Sequence, residues 1–319
     1  MKKYVICMLV LLCSLTMAGC SKNQEKSTPE PKKTVVQKTI TIGVMPDVES
    51  IPFIIAEKNG YFDKEGVKVK LVPFKSAKDR DSALQSGELD GVISDVLAVA
   101  FANDGGFKIK ITSKNEGNLE LMAGKNSGIN SIYSLKGKNV GMSTNTIMEY
   151  TADKMLEAVK IEPAQVNKIA IPPLPTRYEM LQGGKIDAAI LPEPLAGLAV
   201  KNGATVLSST DQMGNKAGAI AFTVKSLQEK RAEIKAIYRA YNDAVDYLYK
   251  ESPDKYIDFL IEKQGFPMEV RDSIKLPQYS HAELPEKEIV DDVVKWLTAK
   301  HLIKGSYTYE DLVDGSVLR

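Results

Sequence analysis

Leu84-Gln85-Ser86-Gly87-Glu88-Leu89-Asp90-Gly91-Val92-Ile93 returns 97 residues later as Leu181-Gln182-Gly183-Gly184-Lys185-Ile186-Asp187-Ala188-Ala189-Ile190. The shared pattern, L-Q-x-G-x-[LI]-D-[GA]-x-I, describes a helix that ends at a glycine able to take positive φ, then a tight turn, then an apolar strand entering a sheet. Upstream segments correspond too. Thr41-Ile42-Gly43-Val44-Met45 precedes Asp47 to Asn59 as Asn139-Val140-Gly141-Met142-Ser143 precedes Met148 to Lys160, at an offset of 98. Self-similarity at one offset over this length marks a duplicated unit. Each half is expected to run strand, loop, helix, strand, loop, helix, strand. That alternation implies an α/β fold of two lobes, each a mainly parallel sheet with right-handed crossovers. Ligands bind such sheets at the carboxyl ends of their strands, so two facing lobes place a site in the cleft between them.

The helices have independent support. Met148, Ala152, Met155, Leu156 and Val159 form the apolar stripe of a helix packed on a sheet. Ser50 is positioned to cap the corresponding helix of the first half, Pro52 falls where a missing N–H costs nothing, and Asn59-Gly60 can end it. Leu119 to Ala123 and Ala219 to Val224 are expected to cross between the lobes as hinge strands. The boundaries are set at 38–122 for the first lobe, 123–220 for the second and 221–319 for a mostly helical return to the first. In that tail Ile234, Ile237, Tyr238, Tyr241, Val245 and Leu248 share a face, Ser252-Pro253 starts another helix, and Trp296 is expected in the core.

Residues 1–19 have the charged start, apolar run and small-residue end of an export signal. The apolar run is too short to span a bilayer. Leu15-Thr16-Met17-Ala18-Gly19-Cys20 resembles a bacterial lipobox, with Met17 at the usual leucine position, so Cys20 is expected to be lipidated. The polar stretch 20–37 suits a tether to the outer face of the membrane. Cys7 and Cys13 lie inside the signal, so the processed chain would have no free thiol for a disulfide, a thiolate metal site or a nucleophile. The two histidines, His281 and His301, lack metal-ligand spacing and belong to a charged helical region. Loss of Lys2 and Lys3 with the signal leaves 40 basic and 41 acidic residues, a balance that gives no electrostatic case for nucleic acid. No cofactor and no metal are expected, and the chain is expected to be a monomer.

Pro52-Phe53-Ile54-Ile55-Ala56-Glu57-Lys58-Asn59-Gly60-Tyr61-Phe62, then Glu65-Gly66-Val67-Lys68-Val69, then Ser86-Gly87-Glu88-Leu89-Asp90 follow one another in an order and spacing that resemble the nitrate, sulfonate and thiamine-precursor binding proteins. Gly184-Lys185-Ile186-Asp187-Ala188-Ala189 and Pro192-Glu193-Pro194 extend the resemblance through the second half. It implies the two-lobed type II periplasmic-binding-protein fold, closure on a small solute, and delivery to the permease and ATPase subunits of an ABC importer. The ligand is left open among a thiamine-precursor-like heterocycle, a sulfonate and a nitrate-type anion, since fold alone does not carry substrate.

By motif, the resemblance carries ligand contact to the loops at 45–50, 74–79, 94–95, 143–146 and 175–177 and to Glu193. The candidates are Asp47, Ser76, Ser94 and Asp95 in the first lobe, and Ser143, Thr144, Asn145, Thr146, Arg177 and Glu193 in the second. Ser143 to Thr146 can cradle an oxyanion at a helix start or simply cap that helix. Arg177 can clamp an oxyanion or face solvent. Against an oxyanion, Asp47, Glu49, Asp95 and Glu193 would accept hydrogen bonds from a ligand with N–H groups. Phe74 and Tyr178 can stack on a ring or pack. Two other classes remain: a ligand-sensing lipoprotein, and a biosynthetic enzyme on the same fold.

Overall fold

The computed structural model describes residues 38–318. The signal, Cys7, Cys13, Cys20 and the tether lie outside the described residues. Gln37–Arg319 forms one compact unit, and it contains every core cluster.

In chain order the first part holds β1 (Thr39–Val44), α1 (Ile51–Lys58), α2 (Tyr61–Lys64), β2 (Lys68–Pro73), α3 (Ala77–Gln85), β3 (Gly91–Asp95), α4 (Val96–Asp104) and β4 (Ile109–Lys114). The second holds β5 (Leu119–Ala123), β6 (Asn139–Met142), α5 (Ile147–Ala158), β7 (Asn167–Ala170), α6 (Leu174–Gln182), β8 (Ala188–Pro192), α7 (Leu195–Lys201), β9 (Thr205–Ser209) and α8 (Thr210–Met213). Then come β10 (Gly218–Thr223), α9 (Val224–Glu229), α10 (Arg231–Lys250), α11 (Ile257–Gln264), α12 (Lys287–Ala299) and α13 (Tyr309–Leu312).

Two five-stranded sheets result, ordered β2-β1-β3-β10-β4 and β7-β6-β8-β5-β9. In each, four strands point one way and the fourth in order, β10 or β5, opposes both neighbours. The opposing strands are those expected to cross. Each begins just after a passage between the sheets, 115–118 before β5 and 210–217 before β10. Each lobe thus completes its sheet with a strand delivered from the other.

The duplication is visible atom by atom. Asp90 donates its N–H to Thr41 O and accepts the Thr41 N–H on its carboxylate at 2.9 Å; Asp187 does the same with Asn139 at 2.8 Å. The repeated aspartate therefore clips the start of one strand to its neighbour. The glycines before it, Gly87 and Gly184, have φ of 84° and 65°, which the tight turn requires and side chains resist. Gly43 and Gly141 also correspond: a Cβ there would lie 2.7 Å from Leu89 and 2.5 Å from Ile186.

The stripe on α5 is buried as its spacing predicts, with Ala152, Met155 and Leu156 in the second-lobe core. Ser50 precedes α1 but makes no side-chain cap; its hydroxyl donates to Met45 O and Asp47. α10 buries Ile234, Ile237, Tyr238, Tyr241 and Val245 in the first-lobe core, and Trp296 packs edge-on to Tyr150, 5.7 Å between centroids. The tail departs from a simple return to the first lobe. Tyr256 and Leu260 join the first-lobe core, while Ile257 and Ile261 of α11, with Val270, pack on Leu198 of α7 in the second. A helix apolar on two edges is held between both lobes.

Candidate functional site

The carboxyl ends of β1 and β3 face those of β6 and β8 across a cavity of about 60 Å³. Met45, Asp47, Glu49, Arg80, Ser94, Asp95 and Asn115 line it from one side, and Ser143, Thr146, Ile147, Met148, Pro172, Leu174 and Pro192 from the other. An adjoining space of about 70 Å³ shares Ser94, Asp95 and Thr146 and adds Asp81, Phe101 and Asn145.

Asp95 ends β3 and begins α4, where its carboxylate accepts the Ala98 N–H at 2.8 Å. Burial pushes its pKa up to about 6, against the pull of Arg80 and the Ala98 N–H. Asp47 is buried and accepts from the Ser50 hydroxyl at 2.9 Å. Burial raises its pKa, opposed by hydrogen bonds from Glu49 and Ser50. Glu49 is raised well above the usual carboxylate range by burial, by the charge of Asp47 and by their hydrogen bond.

Arg80 is buried beneath these acids. It donates to Ile93 O at 2.9 Å and to Asp81 at 2.9 Å. Arg177, 97 positions on, occupies the same place in the second lobe and donates to Ile190 O at 2.8 Å. There the likeness stops. The remaining guanidinium donors of Arg177 go to Ile171 O, Pro172 O and Ser143 Oγ, and the side chain is fully buried. Burial lowers its pKa to about 10, which leaves it charged. The expected oxyanion clamp is thus a structural cation whose donors are all taken by the lobe itself.

Three residues of the cavity wall have a buried polar atom without a hydrogen-bond partner: Ser94 Oγ, which can donate or accept, Asn115 Oδ1, an acceptor, and Arg80 Nη2, a donor that lies 2.9 Å from Asp81 as an ion pair. Asn115 lies in the 115–118 passage and donates its amide N–H groups to Ser94 O and Ala219 O. Gly218 admits it, since a Cβ there would lie 1.9 Å from Asn115 Oδ1. Buried polar atoms left unpaired are costly, on the order of 1–3 kcal/mol each, and all three belong to residues that line the cavity.

From the second lobe, Ser143 accepts from Arg177 at 2.6 Å, and Thr146 caps α5 through Met148 N while donating to Ser143 O. Asn145 has φ of 56° and donates its N–H to Glu149. Three further expectations need correction. Thr144 is exposed and lines neither space. Ser76 caps α3 through Asp79 N, and its neighbour Ala77 reaches the wall instead. Glu193 lies outside both spaces. Its turn throws the carboxylate forward over α7, where Oε2 accepts the Gly197 N–H at 3.2 Å. It is 1% exposed, and burial, then Glu120, push its pKa up to about 7.

Asp47, Ser94, Asp95, Ser143, Asn145 and Thr146 therefore converge as expected, and Arg177, Glu193, Ser76 and Thr144 do not. Sequence reasoning passed over Arg80 and Asn115. Arg80 was legible as the partner of Arg177 at the repeat offset; Asn115 carried no signal. Four carboxyl groups, Asp47, Glu49, Asp81 and Asp95, lie around the one guanidinium of Arg80, so acidic groups outnumber basic ones in this part of the cleft. Among the described residues no group of three His, Cys, Asp or Glu is placed to hold a metal ion. His281 forms an exposed pair with Asp246 at 2.8 Å, away from the cleft.

Toward the edge strand β2 and the start of α6 the cleft widens into a chamber of about 630 Å³. Leu71 and Phe74 line it from the first lobe, Tyr178 and Leu198 from the second, and Phe266 from the tail.

The chain was compared with known proteins. It is 24% identical over 262 residues to a putative ABC transporter periplasmic binding protein of Brachyspira hyodysenteriae, covering 77% of this chain and 74% of that one. It is 26% identical to a putative aliphatic sulfonates-binding protein of Bacillus subtilis, covering 92% and 87%. Among solved structures, the periplasmic nitrate-binding protein NrtA from Synechocystis PCC 6803 superposes with a TM-score of 0.75 at 14% identity, covering 89% and 88%. That likeness fixes the fold as the two-lobed periplasmic-binding type. A family model described as NMT1/THI5 like matches residues 47–255, about two thirds of the chain, and the protein belongs to that family.

Proposed function

We propose that this protein is the capture subunit of an ABC-type importer: it closes two lobes around a small N–H-bearing organic solute and hands it, unaltered, to a membrane permease served by an ATPase. The observation that carries the ligand class is the acidic cavity, lined by Asp47, Glu49 and Asp95, with Asn115 Oδ1 and the Ser94 hydroxyl on its residues left without a partner. Carboxylates repel anions and accept from N–H groups. The relative named for aliphatic sulfonates is 26% identical to this chain, and the acids of this cleft favour a different head group. An amine, an amidine or an aminoheterocycle such as an aminopyrimidine suits it.

Retention at the membrane is assigned to Cys20. The lipobox-like segment 15–20 and the polar stretch after it support an acylated cysteine followed by a tether, and no helix of the described residues is long and apolar enough to cross a membrane. Cys20→Ala is expected to abolish lipid labelling; normal labelling of that variant would refute the anchor.

The ligand class is tested by thermal unfolding of residues 37–319 against amines, aminopyrimidines, amino acids, sulfonates and nitrate. A ligand specific for the native state raises stability by RT ln(1 + [L]/Kd), about 2.7 kcal/mol at a hundredfold excess over Kd. The expected result is a saturable rise with an N–H-bearing solute. A rise confined to sulfonates or nitrate would overturn the head-group assignment.

A further inference from the structure

Met45 and Leu174, one from each lobe, line both the acidic cavity and the apolar chamber beside it. The two spaces therefore adjoin at the apolar side chains of Met45 and Leu174. The smaller space, about 60 Å³, has room for a handful of water-sized groups. That fits a head group and little more. The larger, about 630 Å³, falls in the range of small-molecule pockets, on the order of 300–1,000 Å³. Leu71, Phe74, Tyr178 and Phe266, all half-buried, and Leu198 supply most of its apolar wall, while exposed Lys75, Glu179, Glu262 and Lys263 also line it. Side chains of this size left facing an unfilled space between lobes mark a place where apolar surface is meant to be covered. Three parts of the chain supply them, so the chamber exists only when both lobes and the tail are assembled.

We propose that the captured solute is two-part: an N–H-bearing head seated among Asp47, Asp95, Ser94 and Asn115, and an uncharged alkyl or aryl body that passes between Met45 and Leu174 into the chamber. The proposal rests on the N–H reading of the head cavity and adds the body. A solute of this kind is an alkylamine or arylalkylamine in its simplest form. Phe74, Tyr178 and Phe266 cover the body, and the acids select the head.

The test is calorimetric titration of residues 37–319 with methylamine, butylamine, hexylamine and 2-phenylethylamine, and with hexane-1-sulfonate as the matched anion. Affinity is expected to rise about fourfold per methylene from butylamine to hexylamine, the effect of burying about 0.8 kcal/mol per CH₂. Phe266→Asp and Phe74→Asp, at half-buried positions on separate segments, are expected to remove most of that chain-length dependence while methylamine affinity stays within about twofold. Thermal unfolding of both variants identifies any that fails to fold. Equal affinity for all amines would overturn the body and leave the head-group reading standing. Chain-length-dependent binding of sulfonates without amines would overturn the head-group reading and this proposal with it. Absence of binding by every probe would also overturn the proposal.

Discussion

Glu193 shows how one side chain's direction separates two roles. By motif Glu193 is expected to accept from a ligand in the cleft, yet the backbone carries its carboxylate over the first turn of α7, where it accepts the Gly197 N–H. Buried beside Glu120, it titrates at about 7 in the folded protein instead of near 4.5. The native state therefore holds a proton that the unfolded chain has released, and stability falls as pH rises from about 4.5 to about 7. The loss is on the order of 3 kcal/mol for a shift of this size. Asp95 acts in the same direction over a lower window, between 3.8 and about 6. Glu193→Gln, neutral throughout, is expected to match the parent's ligand-free melting temperature at pH 5 and exceed it at pH 8. Identical pH slopes for parent and variant would show that the Glu193 proton is not coupled to folding. At this scale the sequence placed Asp47, Ser94, Asp95, Ser143 and Thr146 at the cleft because each ends or closely follows a strand whose carboxyl end faces it. It misplaced Arg177 and Glu193 because burial and capping, decided by neighbours distant in sequence, set where their long side chains point.

Elements were legible in proportion to their periodicity. The α5 stripe and the α10 face follow from apolar spacing alone, and the repeat aligned β1 with β6 and β3 with β8 before any coordinates. The docking of α11 was not legible, because Ile257, Leu260 and Ile261 state that the helix is apolar without stating which lobe each edge meets. Gly197 is the contact that decides it. A Cβ there would lie 2.2 Å from Ser273 O and 2.9 Å from Glu193 Oε2, so α7 and the tail can lie this close only with glycine. Gly197→Ala is expected to destabilise by about 1–3 kcal/mol and to speed proteolysis in the segment 265–280. A variant with the parent's stability and cleavage pattern would contradict close packing of the tail on α7.

At the scale of the whole molecule, the lobes meet through α5 and α12 as well as through the two passages. Lys154 pairs with Asp292 at 2.9 Å, the Tyr150 hydroxyl donates to Asp292 at 2.7 Å, and the Trp296 N–H donates to Asp153 at 3.1 Å. The passages at 115–118 and 210–217 are short enough to act as hinges. A solute that contacts both lobes binds the closed form better than the open one and shifts the population by that difference. Scattering from residues 37–319 is expected to show a smaller radius of gyration with a confirmed solute than without. In ligand-free Asp292→Ala, which removes two of these cross-lobe contacts, the molecule is expected to be more extended than the parent. Profiles unchanged by solute and by substitution would count against hinged closure.

The central claim is that one solute N–H group sits between the acids of the first lobe and the hydroxyls of the second. A crystal structure of the complex with the solute found by the thermal screen tests it most directly. A solute nitrogen is expected at hydrogen-bond distance, about 2.7–3.2 Å, from Asp47, Asp95, Ser94 Oγ or Asn115 Oδ1, with Ser143 or Thr146 approaching from the other side. A solute bound outside this cavity, or an oxyanion held against Arg80 with Asp47 and Asp95 turned away, would contradict it.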